Sequence, residues 1–360
     1  MSMFKVIASL GLVATLSFSV VACSERPQPT SSSTPSETAT PSPTPEYEVA
    51  PLTGISYLKG TNLDLAMPAV MGKVDNSDAA RPQNALNSAD VVIEEMVEGG
   101  MTRFIGVWHS KLPAKFGPVR SVRPMDPDLA GPFGGILAFS GGQKDFVNAM
   151  LKTNVLVATE TTQLGKKTFE RVTDRYAPHN IMVNAQKLAS QHKSISPPRP
   201  QYSFSADALT SSAFLQGKVV KSIVKNRPSK SFYVTFPALV ATWSWDATSN
   251  LWLRSTNGTK EIDASDGKQL SATNLVVLQI KINRSYKDFK YGYVPRTVVI
   301  GGGKGVVFTG GKALAVTFKK DHRDDPIQLF DKTGSEVKLA PGNTWVELMP
   351  SNRGWEKYQR

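Results

Sequence analysis

Two apolar β-type runs flank a turn between Asp90 and His109, with several charges set among the apolar positions. The pattern predicts two paired strands, Asp90–Val97 and Thr102–His109. Glu98-Gly99-Gly100 joins them, because glycine tolerates the positive φ of a tight hairpin. Successive side chains on a strand face opposite ways. Val91, Ile93, Glu95 and Val97 therefore share one face, and Val92, Glu94 and Met96 share the other. Arg103, Ile105, Val107 and His109 line one face of the second strand. A three-residue loop sets Glu95 opposite Arg103, and a four-residue loop brings Glu94 diagonally near it. Either register joins a carboxylate to a guanidinium, since a charge on an apolar face is costly unless paired.

The same reading places a strand at Ala69–Val74, ending in Asp75-Asn76, and a buried strand at Gly134–Ser140. A helix is expected at Phe146–Lys152 with Asp145 as its cap, and another at Ala185–His192 capped by Asn184. After Pro197-Pro198-Arg199-Pro200, strand signals dominate. They fall at Lys218–Lys225, Ser231–Phe236, Leu239–Trp245, Leu251–Arg254, Leu275–Ile282, Thr297–Ile300, Ala313–Phe318, Ile327–Phe330 and Trp345–Met349. The fold class is α+β: a mixed, layered N-terminal domain over 51–196 and a mostly β domain over 197–360.

The N-terminus changes the picture. Lys5 precedes an apolar run, Val6–Val21, too short for a comfortable membrane span. The run ends in Val20-Val21-Ala22-Cys23, which resembles a bacterial lipobox. Residues 1–22 are then a signal peptide, and Cys23 carries diacylglycerol and palmitate-type acyl chains. Two buried chains hold a protein stably at a membrane. Residues 23–50 are rich in Pro, Ser and Thr and cannot bury enough surface to fold, so they read as an extended tether. The whole chain has a formal charge of +12, and the region from Pro51 onward is more basic still. That excess favours anionic partners, or solubility alone. The lone cysteine excludes an internal disulfide and a multi-thiolate metal site, and four histidines argue against a His-rich zinc site. No metal and no cofactor is expected.

Chemistry concentrates in the hairpin and the loop after it. Arg120, Ser121 and Arg123 follow Gly117-Pro118, and with Arg103 they offer planar donor forks suited to phosphate or carboxylate. The competing reading has the arginines clamp Glu94, Glu95, Glu98 or Asp126 inside the fold. His179 and Asn180 sit in a turn after Pro178. Ser140 lacks the spacing of a nucleophile elbow. Gly301–Gly305 lacks the Gly-Lys-Ser/Thr ending of a phosphate loop and reads as a β-turn. Trp243, Trp245, Trp252, Tyr286, Tyr291 and Tyr293 suit a sandwich core better than a sugar platform. His322-Arg323-Asp324-Asp325 reads as a solvated loop.

Several segments in one order resemble the YerB-like bacterial lipoproteins, a family of two domains of unknown function. They are Ala80-Arg81-Pro82-Gln83, Ala89–Glu94, Glu98–Phe104, Gly117–Arg123 and Ala177-Pro178-His179-Asn180, with Gly310-Gly311-Lys312, Phe330–Gly334 and Pro341–Trp345 farther on. The resemblance implies a lipid-anchored protein outside the cytoplasmic membrane, mostly of Gram-positive bacteria, with an α+β first domain. It supplies no reaction. Members commonly carry a histidine where this chain has Ser140, and a tryptophan near Phe318, so this copy departs from the pattern twice.

Two functions follow as expectations. The first is an envelope protein on the extracytoplasmic face of the cell membrane. It would bind or regulate an anionic wall polymer, peptidoglycan or an envelope protein through Arg103, Arg120, Arg123, Ser121, His179 and Asn180. The alternative is a wall-glycan hydrolase with Glu95 or Glu98 as acid, assisted by His109 or His179. No nucleic-acid partner is expected, since no recognisable fold signature is present.

Overall fold

The computed structural model describes residues 45–60, 64–209, 231–288 and 292–351. Cys23, Tyr291 and the strand expected at Lys218–Lys225 lie outside the described residues. The N-terminal half opens with the ribbon β1 (Tyr47–Val49) and β2 (Ser56–Leu58). It continues through β3 (Val70–Asp75), β4 (Val91–Met96), β5 (Thr102–Trp108), α1 (Asp126–Ala130), β6 (Ile136–Ala138), α2 (Lys144–Met150) and β7 (Leu156–Ala158). It closes with β8 (Phe169–Arg171), β9 (Ile181–Val183) and α3 (Ala185–Ser190). The C-terminal half is nearly all strand. It runs through β10 (Ser231–Thr235), β11 (Val240–Asp246), β12 (Leu251–Thr256), β13 (Thr259–Lys260) and β14 (Ser271–Ala272). The rest comprises β15 (Asn274–Asp288), β16 (Gly292–Val298), β17 (Gly301–Thr309), β18 (Lys312–Lys320), β19 (Gln328–Phe330) and β20 (Thr344–Pro350).

One mixed sheet runs through both halves in the order β19-β18-β17-β15-β20-β4-β5-β3-β6-β7, with β16 pairing β15. The join is β20. It pairs in parallel with β15 from Asn274 to Ile280 on one side and with β4 from Val91 to Glu94 on the other. A central parallel strand is buried on both faces and needs a near-continuous apolar run, and β20 and β4 are buried along almost their whole lengths. On one face the sheet packs against α3 and the small sheet β10-β11-β12-β13, where β14 also pairs β12. On the other face it packs against α1 and α2.

The β4–β5 hairpin has the three-residue connection, so Glu95 lies opposite Arg103. Gly99 and Gly100 take φ of 69° and 73°, which only glycine adopts without strain. Asn184 caps α3 by accepting the Lys187 N–H at 2.8 Å. Asp145 is not the cap of α2. Gln143 holds that position, and Asp145 accepts the Tyr286 hydroxyl instead. Gly301–Gly305 is not a turn but the start of β17, where a Cβ on Gly303 would come 2.6 Å from the Phe318 ring. The strand at 134–140 shrinks to Ile136–Ala138, and the one expected at Thr297–Ile300 sits earlier, at Gly292–Val298. Trp243 and Trp252 are core residues. The loop at His322–Asp325 is largely exposed, as expected, and is also tied down: Arg323 meets buried Asp128, and Lys320 donates to the Arg323 and Asp325 carbonyls.

Candidate functional site

Alternation along β4 sends its two central glutamates to opposite faces of the sheet. Glu94 points with Val92 and Met96 toward the small sheet, and Glu95 points with Val91 and Ile93 toward α1. Each would be an uncompensated buried charge if left alone.

Glu94 is answered by Arg254, which β12 delivers from the small sheet, Nη2 to Oε2 at 2.7 Å. The same guanidinium meets Glu347 at 2.9 Å and also Glu261. It is enclosed by the rings of Phe104, Trp243 and Trp345, 5.1–5.4 Å away. Burial works against its charge, yet the three carboxylates outweigh that and hold its pKa above the usual value. Glu347 is the direct register partner of Glu94. Burial, together with the Glu94 carboxylate, pushes Glu347 well above the usual carboxylate range. Arg81 supplies a second cation at Glu261, 2.9 Å away.

Glu95 is answered by Lys73 of β3, an ion pair with no exposed side-chain surface. Lys73 also donates to Asp126 at 2.7 Å, and the Arg123 amide closes on the other oxygen of Asp126. Burial pulls the Lys73 pKa down to about 8, against the pull of Asp126. Beside this group, Arg103 lies between Glu95 on β4 and Asp75 on β3 in the strand register. Its Nη1 donates to the Ser121 carbonyl at 2.8 Å. Burial first, and then the neighbouring Arg123, bring its pKa down to about 10.

Toward the surface the network becomes accessible. Arg123 pairs with Glu98 at 2.7 Å, and both are only partly exposed. Asp75 Oδ2 takes Arg120 Nε at 3.1 Å and His179 Nδ1 at 2.6 Å. Its Oδ1 accepts the Ser77 amide, and the Ser77 hydroxyl lies 3.2 Å from the same imidazole nitrogen. A carboxylate on Nδ1 orients the ring and leaves Nε2 as its outward nitrogen. Among the described residues nothing bonds His179 Nε2 or the Nη groups of Arg120. The Arg120–Val122 backbone is held by the next loop, through Ser140 N–H to Arg120 and Val122 N–H to Gly141. A Cβ on Gly141 would meet nothing within 4 Å, so this side is open.

Of the residues the sequence singled out, Arg120 and His179 therefore meet on Asp75, Arg103 is its register partner, and Arg123 lies near Arg103. Ser121 contributes its carbonyl, which anchors Arg103 and Arg123. Asn180 is spent on its own loop, accepting from Arg171 and donating to Val172. Glu95 has no exposed surface, so no glycan reaches it. His109 lies past the other end of β5, about 20 Å along the strand from Arg103. It is buried, its Nε2 lies 3.1 Å from the Leu65 carbonyl, and burial lowers its pKa. Glu98 is occupied by Arg123.

Lys73, Asp75, Arg254 and Glu347 were not anticipated. Lys73 did carry a signal, as a lysine inside the apolar run Ala69–Val74. Arg254 carried one too, at an inward position of the alternation Trp252, Arg254, Thr256. Nothing local marks Glu347 as the neighbour of Glu94.

Comparison with known proteins agrees with this architecture. Residues 52–196 match the family model "Protein of unknown function (DUF3048) N-terminal domain", and residues 232–346 match its C-terminal domain. The chain is 25% identical over 306 residues to a Bacillus subtilis (strain 168) protein named "Putative lipoprotein YerB", covering 84% of this chain and 86% of that one. The crystal structure of the YerB protein from Bacillus subtilis superposes with a TM-score of 0.68 at 22% identity. That match covers 84% of this chain and 97% of the other, and establishes likeness of fold.

Proposed function

The chain belongs to the two-domain DUF3048 family of unknown function, and from that premise we propose that it is a lipoprotein that binds an anionic group of the cell envelope. In this reading Cys23 carries the lipid, residues 23–50 form the tether, and residues 51–196 and 197–360 stand on the extracytoplasmic face of the membrane. The B. subtilis relative's printed name supports the lipid anchor. The binding role is carried by one observation. Arg120 and His179 share a single oxygen of Asp75, while their remaining donors are free of protein partners among the described residues. Asp75 fixes both groups in place, so an incoming phosphate or carboxylate meets preorganised donors. Arg103 and Arg123 add positive potential behind them.

The test is calorimetric titration of the soluble part of the chain with inorganic phosphate. Binding is expected to weaken as salt rises, because exposed charges are screened. Arg120→Ala or His179→Gln is expected to weaken it about tenfold or more, the loss of one charge-assisted contact. Unchanged affinity in both variants refutes the assignment.

A further inference from the structure

Tyr176 stands three residues before His179 with 93% of its surface exposed. The segment that presents it is firmly held. The His179 N–H donates to the Tyr176 carbonyl at 2.9 Å, closing a turn, and the Val172 N–H donates to Asn180. The Arg175 guanidinium donates to the carbonyls of Ala80 and Pro82. His179 itself is bonded to Asp75. A four-residue turn keeps its end Cα atoms within about 7 Å, so Tyr176 and His179 stand at the two ends of one short turn.

Single exposed apolar residues are ordinary on protein surfaces. A large exposed ring on a pinned turn that also carries His179 is a different arrangement. Its side chain has few torsions to freeze, and the backbone beneath it is already ordered, so little entropy opposes contact with a ligand. The ring offers a flat apolar face with a polar tip. Sugars present just such a complement, with apolar C–H faces and hydroxyl rims.

We propose that Tyr176 is the sugar-stacking wall of the Arg120–His179 site, and that the ligand is a sugar unit bearing a phosphate. This rests on the reading of Arg120 and His179 as anion donors. It adds that the anion arrives on a ring, which lies against Tyr176 while the phosphate meets the arginine and histidine.

Three probes separate the two claims: inorganic phosphate, glycerol 1-phosphate and glucose 1-phosphate. Glucose 1-phosphate is expected to bind about tenfold tighter than ring-less glycerol 1-phosphate, one stacking contact's worth of affinity. Tyr176→Ala should erase that preference while leaving inorganic phosphate binding unchanged, and Tyr176→Trp should preserve it. The side chain is exposed, so these variants should keep the wild-type circular dichroism and melting temperature. Equal affinities for the two esters, or a preference that survives Tyr176→Ala, overturns the stacking role. Loss of sedimentation with phosphatidylglycerol vesicles in Tyr176→Ala, without any sugar preference in the wild type, overturns it in favour of a membrane contact. If instead Arg120→Ala leaves inorganic phosphate binding intact, the underlying anion assignment is what fails.

Discussion

Arg254 Nη2 lies 2.7 Å from Glu94 Oε2, and neither side chain has any exposed surface. The contact spans the two halves of the chain, β12 to β4, and sits directly behind β20, where Glu347 faces Glu94. Two carboxylates directly opposite on neighbouring strands repel. Here the Arg254 guanidinium, which meets both carboxylates, makes the juxtaposition tolerable.

Arg254→Met should therefore cost about 3–5 kcal/mol in urea unfolding, because it leaves Glu94, Glu347 and Glu261 buried around an apolar side chain. Adding Glu94→Leu and Glu347→Leu to that variant should recover much of the loss, since well-packed apolar groups often replace a buried ion cluster at little cost. A single substitution that unfolds normally at the wild-type midpoint would show that the cluster is not what holds the halves together.

Asp90 sets a pH dependence with a defined sign. It is buried at the start of β4 and accepts the amides of His109 at 2.6 Å and Ser110 at 2.8 Å, as well as the Ser110 hydroxyl. Burial outweighs these bonds and raises its pKa from 3.8 to about 6. Between those values the folded state binds more protons than the unfolded state, so this group's contribution to stability falls as pH rises from about 4 to 6. The full swing is on the order of 3 kcal/mol. Denaturant midpoints across pH 3.5–7 should show that decline in the wild type and a flatter profile in Asp90→Asn.

In the proposed reading, anchoring at Cys23 is separable from folding. Cys23→Ala should release the chain from the membrane fraction while leaving the melting temperature of the folded part unchanged, because the tether's composition gives it no core to contribute. Fractionation of cells expressing each form, followed by thermal unfolding, checks both halves of the statement. A variant still retained in membranes would assign the attachment to another part of the chain.

What the amino-acid order reveals here follows the range of each interaction. The β4–β5 hairpin is legible because its determinants are local: two apolar β-type runs on either side of a Glu-Gly-Gly turn. The Asn184 cap is legible for the same reason. Arg103 opposite Glu95 was within reach too, yet Glu95 pairs with Lys73, two strands away. The insertion of β20 between β15 and β4 depends on partners more than 60 residues distant on one side and about 250 on the other. No local pattern reports such a pairing. The candidate site shows the same split. Arg103, Arg120, Arg123 and His179 stood out by residue type, whereas Asp75, which binds two of them, looked like the end of a strand.

If His179 and Arg120 face a ligand anion together, the imidazole resonances of the four histidines should report it during a phosphate titration. Assignment uses His179→Gln, and Arg120→Ala serves as the control. The His179 Cε1–H resonance should shift saturably, that of buried His109 should stay fixed, and Arg120→Ala should respond much more weakly. A His179 resonance that stays fixed while phosphate binds, or one that moves equally in Arg120→Ala, would contradict it.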